Sequence, residues 1–272
     1  AGADPEANRI FLDLLTGHVD PEATLRRMNE TGVLGRFIPD FGRVVGMTQF
    51  NMYHHFTVDE HLIRTVGMLT DIERGGAANE LPLSSELIKT IRNRRVLYVA
   101  AFLHDIGKGR TEDHSIVGAR VARHVCPQLG LTPAETETVA WLIEQHLTMS
   151  NIAQSRDISD PKTIRDFADV VQSSERLKLL LLLTVADIRA VGPGVWNGWK
   201  GQLLRSLYHE TEFLVAGGRA PEGRGHRVAA AQQAFREAMD DASPDAVERD
   251  VSRQFPDYWL RTDARKQVDH AQ

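Results

Sequence analysis

A chain of 272 residues allows one large domain or two small ones and is long enough to bury a sizeable core. Its composition, 42% hydrophobic and 25% charged, fits a soluble globular protein, and a net charge of -5 gives no global basic field to hold nucleic acid. The single cysteine, Cys126, excludes internal disulfides and Cys-rich zinc sites and suits a reducing cytoplasm, while the absence of a membrane-length apolar run or signal-peptide pattern argues against a membrane partner.

Apolar residues recur with helical period, and no convincing alternating strand interrupts them, so the chain reads as all-α. Residues 6–16 and 20–31 form an amphipathic pair broken at Gly17 and Gly32. Pro39 and Gly42 mark a loop leading to Gln49 through Phe56. A helix is expected from Thr57, where Thr57 and Glu60 have capping-box spacing. Gly75-Gly76 and Pro82 break it, and a helix of about 86–105 follows, ending at Gly107. Another is expected over about 114–126. Thr132-Pro133-Ala134-Glu135 is a second capping box, opening a helix that reaches about His146. A Leu-rich helix over about 173–190 stops at Gly192-Pro193-Gly194, and a long one covers about 197–215. Gly217 through Gly223 reads as a linker or exposed turn. Beyond it come an Ala-rich helix, about 226–240, and a polar helical stretch, about 243–262. This divides the chain into N-terminal helices (1–50), a central body (51–216) and a helical appendage (217–272).

The chemistry lies in titratable residues placed on apolar faces. In Leu103-His104-Asp105-Ile106-Gly107-Lys108, His104 extends the face of Leu97, Ala100 and Ala101. His146 follows Val139, Leu142 and Ile143 at the same offsets. His114 heads a face with Val117, Gly118 and Val121, and His61 lies beside Val58, Leu62 and Thr65. Asp187 shares a face with Leu180, Leu183 and Thr184 in the most apolar helix. Each has an ordinary explanation alone: a hydrogen-bonded core histidine, or an Asp187–Arg189 pair. Together, four inward histidines and two aspartates are costly to desolvate unless something binds them jointly, and a metal centre does so. Lys108 and Arg110, taken alone, read as solvated loop charges.

The order His61, His104-Asp105, Asp187 resembles the HD superfamily of metal-dependent phosphohydrolases. His114 and His146 match the extra histidines of members that hold two metals. More narrowly, Tyr53 through His61, His104 through Gly109, His114 through Ala119, and Ala186 through Ala190 with Trp196-Asn197-Gly198-Trp199-Lys200 resemble the HD domain of bifunctional PII uridylyltransferase/uridylyl-removing enzymes. The last block is not a general HD feature. Ile106-Gly107-Lys108 after His-Asp departs from guanosine tetraphosphate hydrolases, and Leu147-Thr148-Met149 after His146 departs from HD-GYP enzymes.

The resemblance implies an HD-domain helical bundle that hydrolyses the phosphodiester joining UMP to a tyrosine of the PII signal protein. It implies His61, His104, Asp105 and Asp187 as core metal ligands, Asp105 as the bridge, and His114 and His146 completing a second site, with phosphate contact as an alternative for His114. Catalytic roles fall to His104, Asp105 and Lys108, the last as a point charge on a phosphoryl oxygen. His54, His55 and Arg189 are candidates for substrate contact or leaving-group assistance. The mixed nitrogen and oxygen shell admits manganese or magnesium, with iron, cobalt or zinc also compatible. Partners would be uridylylated PII and the product UMP, with glutamine an effector of the full-length enzyme only. No nucleotidyltransferase motif and no glutamine-sensing domain is visible, so the expectation is a central domain apart from those neighbours. An HD hydrolase of free nucleotides and a non-catalytic metal- or nucleotide-binding module stay open as alternatives.

Overall fold

The computed structural model describes residues 4–17, 20–48, 55–217, 224–239, 244–255 and 258–259, and every regular element among them is helical. Helices α1 (Pro5–Leu15) and α2 (Pro21–Glu30) begin alike: Asp4 and Asp20 accept backbone N–H bonds, and a proline occupies the first helical position. Two short turns, α3 (Val33–Phe37) and α4 (Pro39–Gly42), precede α5 (Val58–Arg74). Thr57 precedes α5, but its side chain makes no capping bond. The capping box expected there is absent because Glu60 is committed elsewhere. Its carboxylate accepts from Arg26 Nη2 at 2.6 Å, and Arg26 also holds Glu22 at 2.7 Å. Buried Asp59 accepts from Asn29 Nδ2 at 2.7 Å and from the Gly46 N–H at 3.1 Å. These bonds dock the N-terminal helices on α5.

The single helix expected over 86–105 is two: α6 (Pro82–Leu87) and α7 (Arg94–Leu103). Between them Lys89, Thr90 and Arg92 are exposed, so no apolar stripe sustains a helix, and the Asn93 side chain accepts from the Val96 N–H to start a new one. Next come α8 (His114–Gln128) and α9 (Pro133–Gln145), the latter with the Thr132/Glu135 capping box formed. Periodicity passed over α10 (Thr148–Ser155) and α11 (Pro161–Val171). The first buries only Met149 and Ala153, too little to show a stripe. The second carried a readable signal, with Asp160-Pro161 at its start and Ile164, Phe167 and Val171 buried along one face. The chain continues through α12 (Ser174–Ala190), α13 (Gly198–Val215), α14 (Arg224–Ala238) and α15 (Pro244–Arg253).

Helix α7 is buried at every position from Val96 to Leu103, and α12 at Leu177 and from Leu179 to Ala186. Helices apolar all round belong at the centre of a bundle. Around α7 pack α5, α9 and α12, so the ends of these four elements share one interior region. One apolar cluster runs from Phe11 to Tyr208, taking in the N-terminal helices. Phe235, Val247, Val251 and Trp259 form a separate small cluster. No helix among the described residues is long and apolar enough to cross a membrane.

Candidate metal centre

Helix α7 ends with His104 as its C-cap residue, and α9 ends with His146 in the same position. Each ring is fixed by its own helix. His104 Nδ1–H donates to the Ala101 carbonyl at 2.9 Å, and His146 Nδ1–H to the Ile143 carbonyl at 2.7 Å. A carbonyl can only accept, so the hydrogen of each neutral ring lies on Nδ1. Each Nε2 then presents a lone pair to the bundle interior, the orientation that metal-ligating histidines adopt.

Other elements converge on the same point. His61 of α5 brings Nε2 to 3.2 Å from His104 Nε2 and 3.0 Å from Asp187 Oδ1 of α12. Asp187 Oδ1 also lies 3.5 Å from His104 Nε2. Asp105 Oδ2 is 3.7 Å from His61 Nε2 and 3.6 Å from His104 Nε2. Its other oxygen, Oδ1, is 3.5 Å from His114 Nε2 and 3.6 Å from His146 Nε2. Two donor sets result, His61/His104/Asp105 and Asp105/His114/His146, each with ligand-type atoms within 4.8 Å of one another. Asp105 belongs to both. Gly107 permits this closeness: a Cβ there would lie 2.2 Å from the His114 carbonyl oxygen, so any side chain would push α8 and His114 away.

The polar atoms of this centre are incompletely satisfied. Asp105 Oδ1 and His114 Nε2 are buried without a hydrogen-bond partner. Burial alone would raise the Asp105 carboxyl, yet His104, Lys108, His146 and His61 hold it far below the ordinary value. Asp187 is likewise kept low against its burial by His104 and His61. Burial would depress His104, but Asp105 and Asp187 raise it. His146 falls to about 4, first through burial and then through the proximity of His104. Buried imidazole and carboxylate groups crowded this closely, with Asp105 Oδ1 and His114 Nε2 left without a hydrogen bond, are costly to keep without a shared cation. A divalent cation meets that need, and the nitrogen and carboxylate donors fit it.

A cavity of about 400 Å³ opens on one side of this centre. Asp105, Lys108, His114, His146 and Asp187 line its inner end. Lys108 Nζ lies 2.6 Å from Asp105 Oδ2. Arg189 does not line the cavity. Two residues beyond Asp187 on α12, it points away and pairs with Glu80 at 2.5 Å, which removes it from the substrate contacts expected of it. His55 is exposed and also off the cavity wall, its backbone N–H donating to the Val191 carbonyl at 3.2 Å. His54 lies outside the described residues. Sequence reasoning missed Ser150 and Gln154 of α10 and the wall contributed by Lys200. The Trp-Asn-x-Trp-Lys run was the signal that could have drawn attention to Lys200.

Residues 58–187 match the HD domain family model, and this segment of the chain is an HD domain. The matched segment carries both His/Asp clusters described above. Over 270 residues, 98% of this chain, it is 59% identical to the bifunctional uridylyltransferase/uridylyl-removing enzyme of Nitrobacter winogradskyi. It is 58% identical over the same share to the enzymes of that name from Bradyrhizobium diazoefficiens and Nitrobacter hamburgensis. The chain spans 29% of the length of each of these relatives.

Proposed function

We propose that this chain is the uridylyl-removing part of such an enzyme, a metal-dependent phosphodiesterase that hydrolyses UMP from the uridylylated PII signal protein. One observation carries the reading: Nε2 atoms from four helices face Asp105 and Asp187, and Asp105 Oδ1 is left without a hydrogen bond. In this reading His61, His104, Asp105 and Asp187 hold one divalent ion, and Asp105 with His114 and His146 holds a second. When bound, such ions draw a nucleophile from water near neutral pH and neutralise the non-bridging phosphoryl oxygens. Manganese or magnesium suits the chemistry, and iron, cobalt or zinc suits the donors.

The chain's own groups do the rest. His104 and His146, locked by their Nδ1–H bonds, fix the direction of approach. Lys108 neutralises Asp105 and stands at the cavity wall to meet a phosphoryl oxygen. The departing tyrosyl oxygen, from a phenol with pKa near 10, needs little protonation. The substrate is a PII protein and UMP a product, in the cytoplasm, with residues 51–216 as the catalytic body; glutamine control belongs to the longer enzyme. Replacing Asp105 by Ala is expected to abolish both retained metal and UMP release from uridylylated PII, and replacing His104 by Ala to lose one ion and UMP release, while far-UV circular dichroism stays helical. Undiminished UMP release by either variant would refute the assignment. A panel of free nucleotides tests the alternative: turnover of these, with no release from PII, favours a nucleotide hydrolase.

A further inference from the structure

The Trp196–Lys200 run lies beyond the segment matched by the HD family, and nothing in the metal centre uses it. Its local structure has one outcome, the placement of a cation. Asn197 opens α13, its side chain accepting from the Lys200 N–H at 2.9 Å. Trp196 packs on the main apolar core, and Gly201 leaves room for it: a Cβ at 201 would lie 3.0 Å from Trp196 Cζ2. The anchored turn carries Lys200 to the cavity wall, half-buried, where its Nζ donates to the Val195 carbonyl at 2.8 Å.

The two lysines of the cavity differ in their commitments. Lys108 is paired with Asp105 at 2.6 Å. Lys200 forms no ion pair with any described carboxylate. A half-buried ammonium with one backbone acceptor keeps two donors for whatever enters the cavity. Beside it, Ile188, Val191 and Val195 give an apolar wall, while Ser150 and Gln154 add polar groups from α10. The space, about 400 Å³, exceeds what a phosphate alone would fill.

We propose that Lys200 is the principal protein contact to the phosphate of a nucleoside monophosphate in this cavity, positioned by the turn from Trp196 to Gly201. The inference rests on the phosphodiesterase reading for its substrate class but not for its test. UMP, uridine and inorganic phosphate are titrated calorimetrically into the manganese-loaded chain, its Lys200→Gln variant and its Lys200→Arg variant, with metal content measured in each. Lys200→Gln is expected to weaken UMP and phosphate binding by roughly ten- to hundred-fold, the scale of a charge-assisted hydrogen bond. Uridine binding and metal content should not change, and Lys200→Arg should recover part of the loss. Equal UMP affinity in the parent and Lys200→Gln would overturn the proposal, as would a parent that binds neither UMP nor phosphate. Lys200-dependent UMP binding in a chain that releases no UMP from PII would leave Lys200 assigned and refute the enzymatic reading instead.

Discussion

Asp105 is the residue on which the centre turns, because its two oxygens face different histidines. Oδ2 looks towards His61 and His104, Oδ1 towards His114 and His146. If the two donor sets hold separate ions, their losses should be separable. His114→Ala and His146→Ala are each expected to reduce bound metal from two ions per chain to one. Asp105→Ala should leave none, since it belongs to both sets. Elemental analysis after gel filtration gives the stoichiometry, and two retained ions in His146→Ala would refute the split. Cys126, by contrast, has no place in the chemistry. It is fully buried, and burial pushes its thiol up to about 12, so almost no thiolate forms near neutral pH.

Among the elements, α9 shows how one side chain joins local and tertiary structure. Glu135 accepts from the Thr132 N–H at 2.8 Å to close the capping box. It also accepts from Arg95 through two bonds of 2.7 Å and receives Asn93 Nδ2, both at the start of α7. The carboxylate therefore ties together the two helices whose far ends carry His104 and His146. Burial would raise its pKa, but Arg95, Asn93 and Thr132 lower it from 4.5 to about 2. A depressed carboxyl stabilises the fold above its unfolded value and loses that contribution as pH falls towards its folded value. Glu135→Gln is expected to cost about 1–3 kcal/mol at pH 7. The gap from the parent should narrow as pH falls from 5 towards 2. Urea unfolding followed by circular dichroism at several pH values measures both effects, and a gap that widens in acid would refute the assignment.

At the scale of the whole molecule, the N-terminal helices and the HD segment share one core, while among the described residues after 217 four apolar side chains form a separate cluster. Phe11, Phe41 and Phe102 belong to the same apolar cluster, with Phe41 and Phe102 stacked at 5.1 Å between ring centroids. Burying side chains of this size is worth about 1.5–3 kcal/mol each, so the N-terminal helices are integral to the main body. The cluster of Phe235, Val247, Val251 and Trp259 does not join it. Removing residues 218–272 is accordingly expected to shift the main thermal transition by less than about 4 °C, the size of a 1 kcal/mol effect in a body this large. Calorimetry of the shortened chain tests this; a collapse of that transition would show that the appendage supports the core.

The sequence by itself determined the all-helical architecture, because helical period is a local pattern, and the HD resemblance together with inward-facing titratable groups marked the candidate residues of the centre. His61, His104, Asp105, His114, His146 and Asp187 lie on apolar faces of the helices that the sequence predicts, and the structure brings all six together. The capping box at Thr132 was legible for the same reason. Tertiary structure alone decided the rest. The Thr57/Glu60 spacing matched a cap, but an arginine 34 residues away holds Glu60. Arg189 was near Asp187 in sequence, yet two positions along a helix turn a side chain towards a different neighbour, here Glu80. Lys200 reaches the cavity only because α13 packs beside α10 and α12, a long-range contact that no local periodicity encodes.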